Sequence, residues 1–150
     1  MAAKKIDSPP ATKRTWYADG LRFECTACGH CCRWGAGYVW INEREIHAIA
    51  DHLGLDVLEF ARRYVRRVGT AHSLIELPDY RCVFLDENER CRVYPVRPTQ
   101  CRTYPFWLEW IKNPAAWRAL AKDCPGLDHG RLYTADQIKA LAKETEESLL

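Results

Sequence analysis

Apolar positions along the chain change period several times, and each change marks an element. Leu21-Arg22-Phe23 alternates apolar and charged residues after the turn signal Asp19-Gly20, which predicts a short strand beginning just beyond Trp16-Tyr17. Tyr38-Val-Trp-Ile41 predicts a second extended segment. Asn42, with Glu45 three residues later and Gly54 beyond, predicts a helix opened by a capping box and closed by glycine. Asp56 opens a second helix, expected over 57–68 and closed by Gly69, with Leu58, Ala61, Val65 and Val68 as its inward stripe. Short strands are expected at 73–77, 82–85 and 91–94, the last two joined by the turn 86–90.

In the C-terminal third, Pro98 suits the first turn of a short helix carrying Cys101. Asn113-Pro114 opens another helix to about 122, and Thr134 opens a last amphipathic helix at about 135–149, its inward side formed by Ile138, Leu141, Ala142 and Leu149. The pattern describes a small single α+β domain, residues 15–150, in which short strands and several helices pack around irregular cysteine-bearing loops that hold metal. Residues 1–14, Pro-rich and basic, are expected to form a flexible tail.

Composition changes the picture in one respect. The 150 residues, 47% hydrophobic and 28% charged with a net charge of +2, fit one folded domain and give no electrostatic signal for a nucleic-acid partner. No apolar run approaches a membrane span and no secretory signal follows Met1, so the chain is read as cytoplasmic with no membrane partner. Eight cysteines, however, exceed what packing requires, and in a reducing compartment they point to metal or redox chemistry before disulfides.

Their order is C-x2-C-x2-C-C at Cys25, Cys28, Cys31 and Cys32, then single thiols at Cys82, Cys91, Cys101 and Cys124. Three thiols at every third residue wrap a loop around one inorganic centre, as in bacterial-type ferredoxins, where a remote Cys-Pro completes the set. Cys124-Pro125 is the Cys-Pro of this chain. Zinc sites more often show two separated C-x2-C knuckles. The spacing therefore favours an iron–sulfur cluster, with zinc as the alternative. Adjacent Cys31 and Cys32 diverge too much for one small ion, which suits two centres or a polynuclear one. The expected partition is Cys25, Cys28, Cys31 and Cys124 at one centre, and Cys32, Cys82, Cys91 and Cys101 at a second.

The cysteine run together with Arg81-Cys82-Val-Phe-Leu-Asp86, with Cys91-Arg-Val-Tyr94-Pro-Val-Arg97-Pro98-Thr-Gln-Cys101-Arg102-Thr-Tyr104-Pro105-Phe106, and with Cys124-Pro-Gly resembles the YkgJ-type cysteine-cluster family, described as zinc- or iron-chelating domain proteins. The resemblance covers about 23–133. It implies metal binding by all eight cysteines and leaves the metal and biological role open.

Neighbouring residues have chemical readings of their own. Arg33, Arg97 and Arg102 flank cysteines and would offset thiolate charge. His30 is a further donor in the loop, and His47 and His52 lack the spacing of a catalytic zinc helix. Trp34, Trp40, Tyr94, Tyr104, Phe106 and Trp107 serve equally as core or as a water-excluding shell. Arg62, Arg63, Arg66 and Arg67 would form a basic helical face, more suited to solvent or a protein partner than to nucleic acid. No phosphate loop, nucleophile elbow or paired-carboxylate site is present, so no catalytic constellation is assigned. The expected function is electron transfer, metal handling or assistance to a partner enzyme; the alternative is a structural zinc module whose arginines bind protein or RNA.

Overall fold

A computed structural model describes residues 14–33 and 37–149. The expected tail lies outside the described residues except for Arg14, as does Trp34. The architecture is α+β. Strand β1 (Leu21–Phe23) pairs antiparallel with β5 (Arg131–Tyr133), Leu21 facing Tyr133. A second sheet has the order β2-β4-β3, from β2 (Val39–Trp40), β3 (Val65–Val68) and β4 (Ala71–Leu74).

Helix α1 (Glu43–Leu53) carries the expected capping box, Asn42 with Glu45, and ends on Gly54 in the left-handed region at φ 68°. Helix α2 (Val57–Tyr64) is shorter than expected. Residues 65–68 leave the helix and return against β4 through a turn with Gly69 at φ 61°. Val65 and Val68, taken as helical stripe positions, are β-branched and sit beside a turn glycine, so a hairpin satisfies them better. The inward residue of α2 is Phe60, fully buried, whereas Leu58 is exposed.

The strand expected at 73–77 starts two residues earlier, and 82–85 and 91–94 form only isolated bridges, Glu76 to Cys82 and Leu85 to Cys91. The turn between them is nevertheless closed as expected, Asp86 N–H donating to Arg90 O at 2.8 Å.

Helices α3 (Thr99–Thr103), α4 (Leu108–Ile111), α5 (Pro114–Ala121) and α6 (Ala135–Ser148) complete the chain. Pro98 caps α3 from outside rather than occupying its first turn. Leu149, expected on the buried side of α6, is exposed, and Thr145 is buried in that region instead.

Two hydrophobic cores result. One gathers Phe23, Phe106, Ile111, Trp117, Leu127 and Ile138 between the β1–β5 ribbon and the C-terminal helices. The other gathers Ile49, Phe60, Leu74, Phe84 and Val93 beneath the three-stranded sheet, α1 and α2. Helix α3 packs against both β2 and α6, and so lies between the two. Among the described residues, no helix is long and apolar enough to cross a membrane.

Candidate metal centre

The loop after β1 is irregular because its backbone repeatedly enters the left-handed region. Ala27 has φ 56° and Gly29 has φ 73°, and a short 3-10 turn follows at His30–Cys32. The loop is docked at its far end. Cys82 N–H donates to Cys32 O at 2.7 Å, and Arg33 pairs with Glu89 at 2.6 Å. Gly29 presses on the same turn: a Cβ there would come within 3.0 Å of Glu89 O. Each link brings the first cysteine run against the segment bearing Cys82 and Cys91.

Helix α3 presents Cys101, and three neighbours hold it. The Glu45 carboxylate, which caps α1, also accepts from Thr99 N–H at 2.7 Å and from the Thr99 hydroxyl at 2.6 Å. Gln100 bridges to β2, accepting from Trp40 N–H at 2.9 Å and donating to Tyr38 O at 3.1 Å. Thr145 of α6 donates to the Thr103 hydroxyl at 2.5 Å. Cys124 follows α5, and the next turn returns to the first loop, Glu24 N–H donating to Gly126 O at 3.1 Å. No side chain fits at Gly126, where a Cβ would lie 2.1 Å from Glu24 O.

All eight cysteines are free thiols, and each borders one of two adjoining cavities. A cleft of about 720 Å³ is bordered by Cys25, Cys28, Cys31, Cys101 and Cys124. A smaller cavity of about 120 Å³ is bordered by Cys25, Cys31, Cys32, Cys82, Cys91 and Cys101. Among the described residues, no three His, Cys, Asp or Glu side chains lie close enough together to hold a metal ion. The thiols ring a volume instead of converging on a point.

The electrostatics divide them. The Cys32 S–H donates to Cys31, which lowers the Cys31 thiol to about 7 against the opposing effect of burial; Arg97 lowers it further. Cys32 is correspondingly raised by holding that proton. Burial raises Cys82, Cys91 and Cys101, and neighbouring thiols add to the effect. Burial also raises the Tyr104 phenol, and its hydrogen bond with Cys124 adds to this, so the hydroxyl stays protonated beside that sulfur.

Metal ligation requires thiolates, so any of these raised groups that served as a ligand would release its proton on binding. Metal affinity is therefore expected to rise with pH across neutrality, by roughly tenfold per pH unit for each thiol deprotonated. Competition with a chromophoric chelator at stepped pH measures the slope; a flat profile would contradict it.

The three arginines singled out in the sequence have separate positions. Arg97 borders both cavities and stacks on Tyr94, 3.8 Å from the ring centroid. Arg102 is ion-paired with Glu144. Arg33 serves Glu89 and the loop backbone, donating to Cys28 O at 3.4 Å. His30 borders the large cleft, whereas His47 and His52 are exposed on α1 away from it. The positioning roles of Glu45 and Gly126 had no local signal: Glu45 reads as a cap alone, and its second partner is 54 residues away.

The family model CxxCxxCC, described as "Putative zinc- or iron-chelating domain", matches residues 24–125, a stretch containing all eight cysteines. A protein of Methanocaldococcus jannaschii, itself described as uncharacterized, is 30% identical over 98 residues, covering 65% of this chain and 51% of that protein. The chain thus spans about half the length of that relative. No solved structure matches the chain.

Proposed function

Since the chain belongs to the CxxCxxCC family of zinc- or iron-chelating domains, we propose that its cysteines hold an iron–sulfur cluster serving electron transfer or metal handling for a partner enzyme. The observation that carries this reading is the arrangement of thiols around a volume. A polynuclear cluster needs an interior, which the cleft of about 720 Å³ supplies beside Cys25, Cys28, Cys31 and Cys124. Bound there, the cluster would supply one-electron chemistry.

The two cavities also support the partition into two sites. Cys25, Cys28, Cys31 and Cys124 all border the larger. Cys32, Cys82, Cys91 and Cys101 all border the smaller; Cys28 and Cys124 belong to the larger alone and Cys32, Cys82 and Cys91 to the smaller alone, while Cys25, Cys31 and Cys101 border both. The zinc-module alternative draws less support, because its arginine face is broken up. Arg66 and Arg67 lie on β3 and not on α2. Arg66 donates to Gly37 O at 2.7 Å, Arg67 to Gly69 O at 2.9 Å, and Arg63 pairs with Glu59.

Protein purified without oxygen should be brown and contain iron with acid-labile sulfide. Colourless protein with stoichiometric zinc would overturn the cluster. For the partition, Cys124→Ser should alter the same centre as Cys28→Ser. If Cys32→Ser removes that centre while Cys124→Ser spares it, the compact four-cysteine loop is the site.

Arg97 is the guanidinium that acts on the thiols, lowering Cys31, Cys91 and Cys101 through its charge. Arg97→Gln is therefore expected to lower the reduction potential by roughly a few tens of millivolts, since reduction adds negative charge. Arg102→Gln should do less, its charge being matched by Glu144. Protein-film voltammetry reads both; a rise in the Arg97 variant would refute direct electrostatics.

A further inference from the structure

The large cleft carries charges that metal ligation does not fully engage: Arg97 faces the thiols, and Arg131 has no part in them. Of the three arginines that border it, two are parked on a tyrosine face: Arg97 at 3.8 Å from the Tyr94 centroid and Arg131 at 4.7 Å from that of Tyr133. Arg97 donates through Nε to Tyr94 O at 3.0 Å, which leaves its terminal amino groups without a hydrogen-bond partner among the described residues. Arg131 makes no hydrogen bond or ion pair through its side chain among those residues; its contact is the Tyr133 ring. Arg102 also borders the cleft but is neutralised by Glu144. The acidic group on the lining is Glu24, with His30 as a further titratable neighbour.

Stacked arginines lose little freedom on binding, and their planar forks match a carboxylate with two parallel hydrogen bonds. Phe23, Phe106 and Leu141 line the same cleft and give an apolar wall for a carbon skeleton. A volume of about 720 Å³ lies in the range of small-molecule sites. We propose that this cleft binds a small organic carboxylate beside the cysteines, with Arg97 and Arg131 as its anchors. The inference rests on the metal-centre reading, because the metal centre would share this cleft and Arg97 would face both; Arg131 is the ligand's own partner.

The test is calorimetric titration of metal-loaded protein with succinate, which offers one carboxylate to each guanidinium. Saturable binding that weakens with salt is expected. The neutral isostere succinamide should bind at least tenfold more weakly. Arg131→Gln should weaken succinate binding about tenfold with metal content and visible spectrum unchanged, while Arg118→Gln, an exposed position on α5 outside the cleft lining, should leave it intact. No heat with succinate, equal binding of succinamide, inorganic phosphate binding as tightly as succinate, or an inert Arg131→Gln would each overturn the proposal. Metal content and spectrum, read in the same samples, decide the metal-centre reading separately.

Discussion

Stripping the metal with a strong chelator is expected to unfold the protein across both cores, not only in the loop at 25–32. The thiols belong to segments that otherwise meet sparingly. Cys82 and Cys91 pack on the core beneath the three-stranded sheet, and Cys124 packs on the core of the C-terminal helices. Cys101 rides on α3 between the two, and the first cysteine run spans both cavities. Without metal, burial favours the neutral thiols, and the two halves are joined chiefly through the hydrogen bonds of α3 to α1, β2 and α6. Structural metal sites contribute on the order of 10 kcal/mol, comparable with the whole stability of a small domain. Amide exchange should therefore lose protection at Phe60 and Ile138 alike, two fully buried residues from opposite cores. Reloading metal should restore it. Unchanged protection and an unchanged thermal midpoint after chelation would show that the cores stand without the centre.

Gly126→Ala is expected to produce the largest effect of any substitution that touches neither a core residue nor a cysteine. The added Cβ would stand 2.1 Å from Glu24 O, and the obstacle is backbone next to Cys25, which cannot swing away as a side-chain tip can. Relief requires separating 124–126 from 23–25, breaking the Glu24–Gly126 hydrogen bond and the Phe23–Leu127 bridge. A cost of about 3 kcal/mol or more follows, in the range of severe overpacking. The same movement draws Cys124 away from Cys25, so metal content at the larger cleft should fall with stability. Gly54→Ala is the comparison: its φ of 68° strains alanine where open space surrounds it, whereas Gly126 meets the close approach without a left-handed φ. It should cost only about 1 kcal/mol and leave metal content unchanged. Equal effects from the two substitutions would show that the close approach at Gly126 costs no more than left-handed strain in an open turn.

Where local chemistry decides an element, the sequence was sufficient. Asn42 with Glu45, Asn113 before Pro114, and Thr134 with Gln137 each cap the helix expected of them through side-chain hydrogen bonds. The α2 boundary was misread because periodicity cannot separate a fourth helical turn from a strand when arginines occupy the polar positions. The competing interaction was a hairpin partner, β4, supplied by residues downstream. The candidate site divides the same way. Cysteine order could be read directly, but Cys25, Cys31 and Cys101 border both cavities, so the grouping suggested by the spacing is not decided by the linings. Which arginine faces the thiols could not be read, since Arg97 and Arg102 flank Cys101 almost symmetrically in sequence. Only the position of Glu144, on another helix, removes Arg102 from consideration.

The hydroxyl contact between Thr103 and Thr145 has a consequence for how this architecture can vary among relatives. Thr103 lies within the matched stretch 24–125, and Thr145 lies outside it, on α6. A relative that kept every cysteine but replaced this last helix would leave the buried Thr103 hydroxyl with Thr99 O and Trp107 alone, a weaker bracing of the Cys101 turn. Changes on α6 are therefore coupled to position 103 on α3 through this contact, though Thr103 keeps its own hydrogen bonds. The thiol set and the helix that braces it are thus separable as chain segments yet coupled as a packing unit, and exchanging α6 between relatives should succeed best when position 103 travels with it.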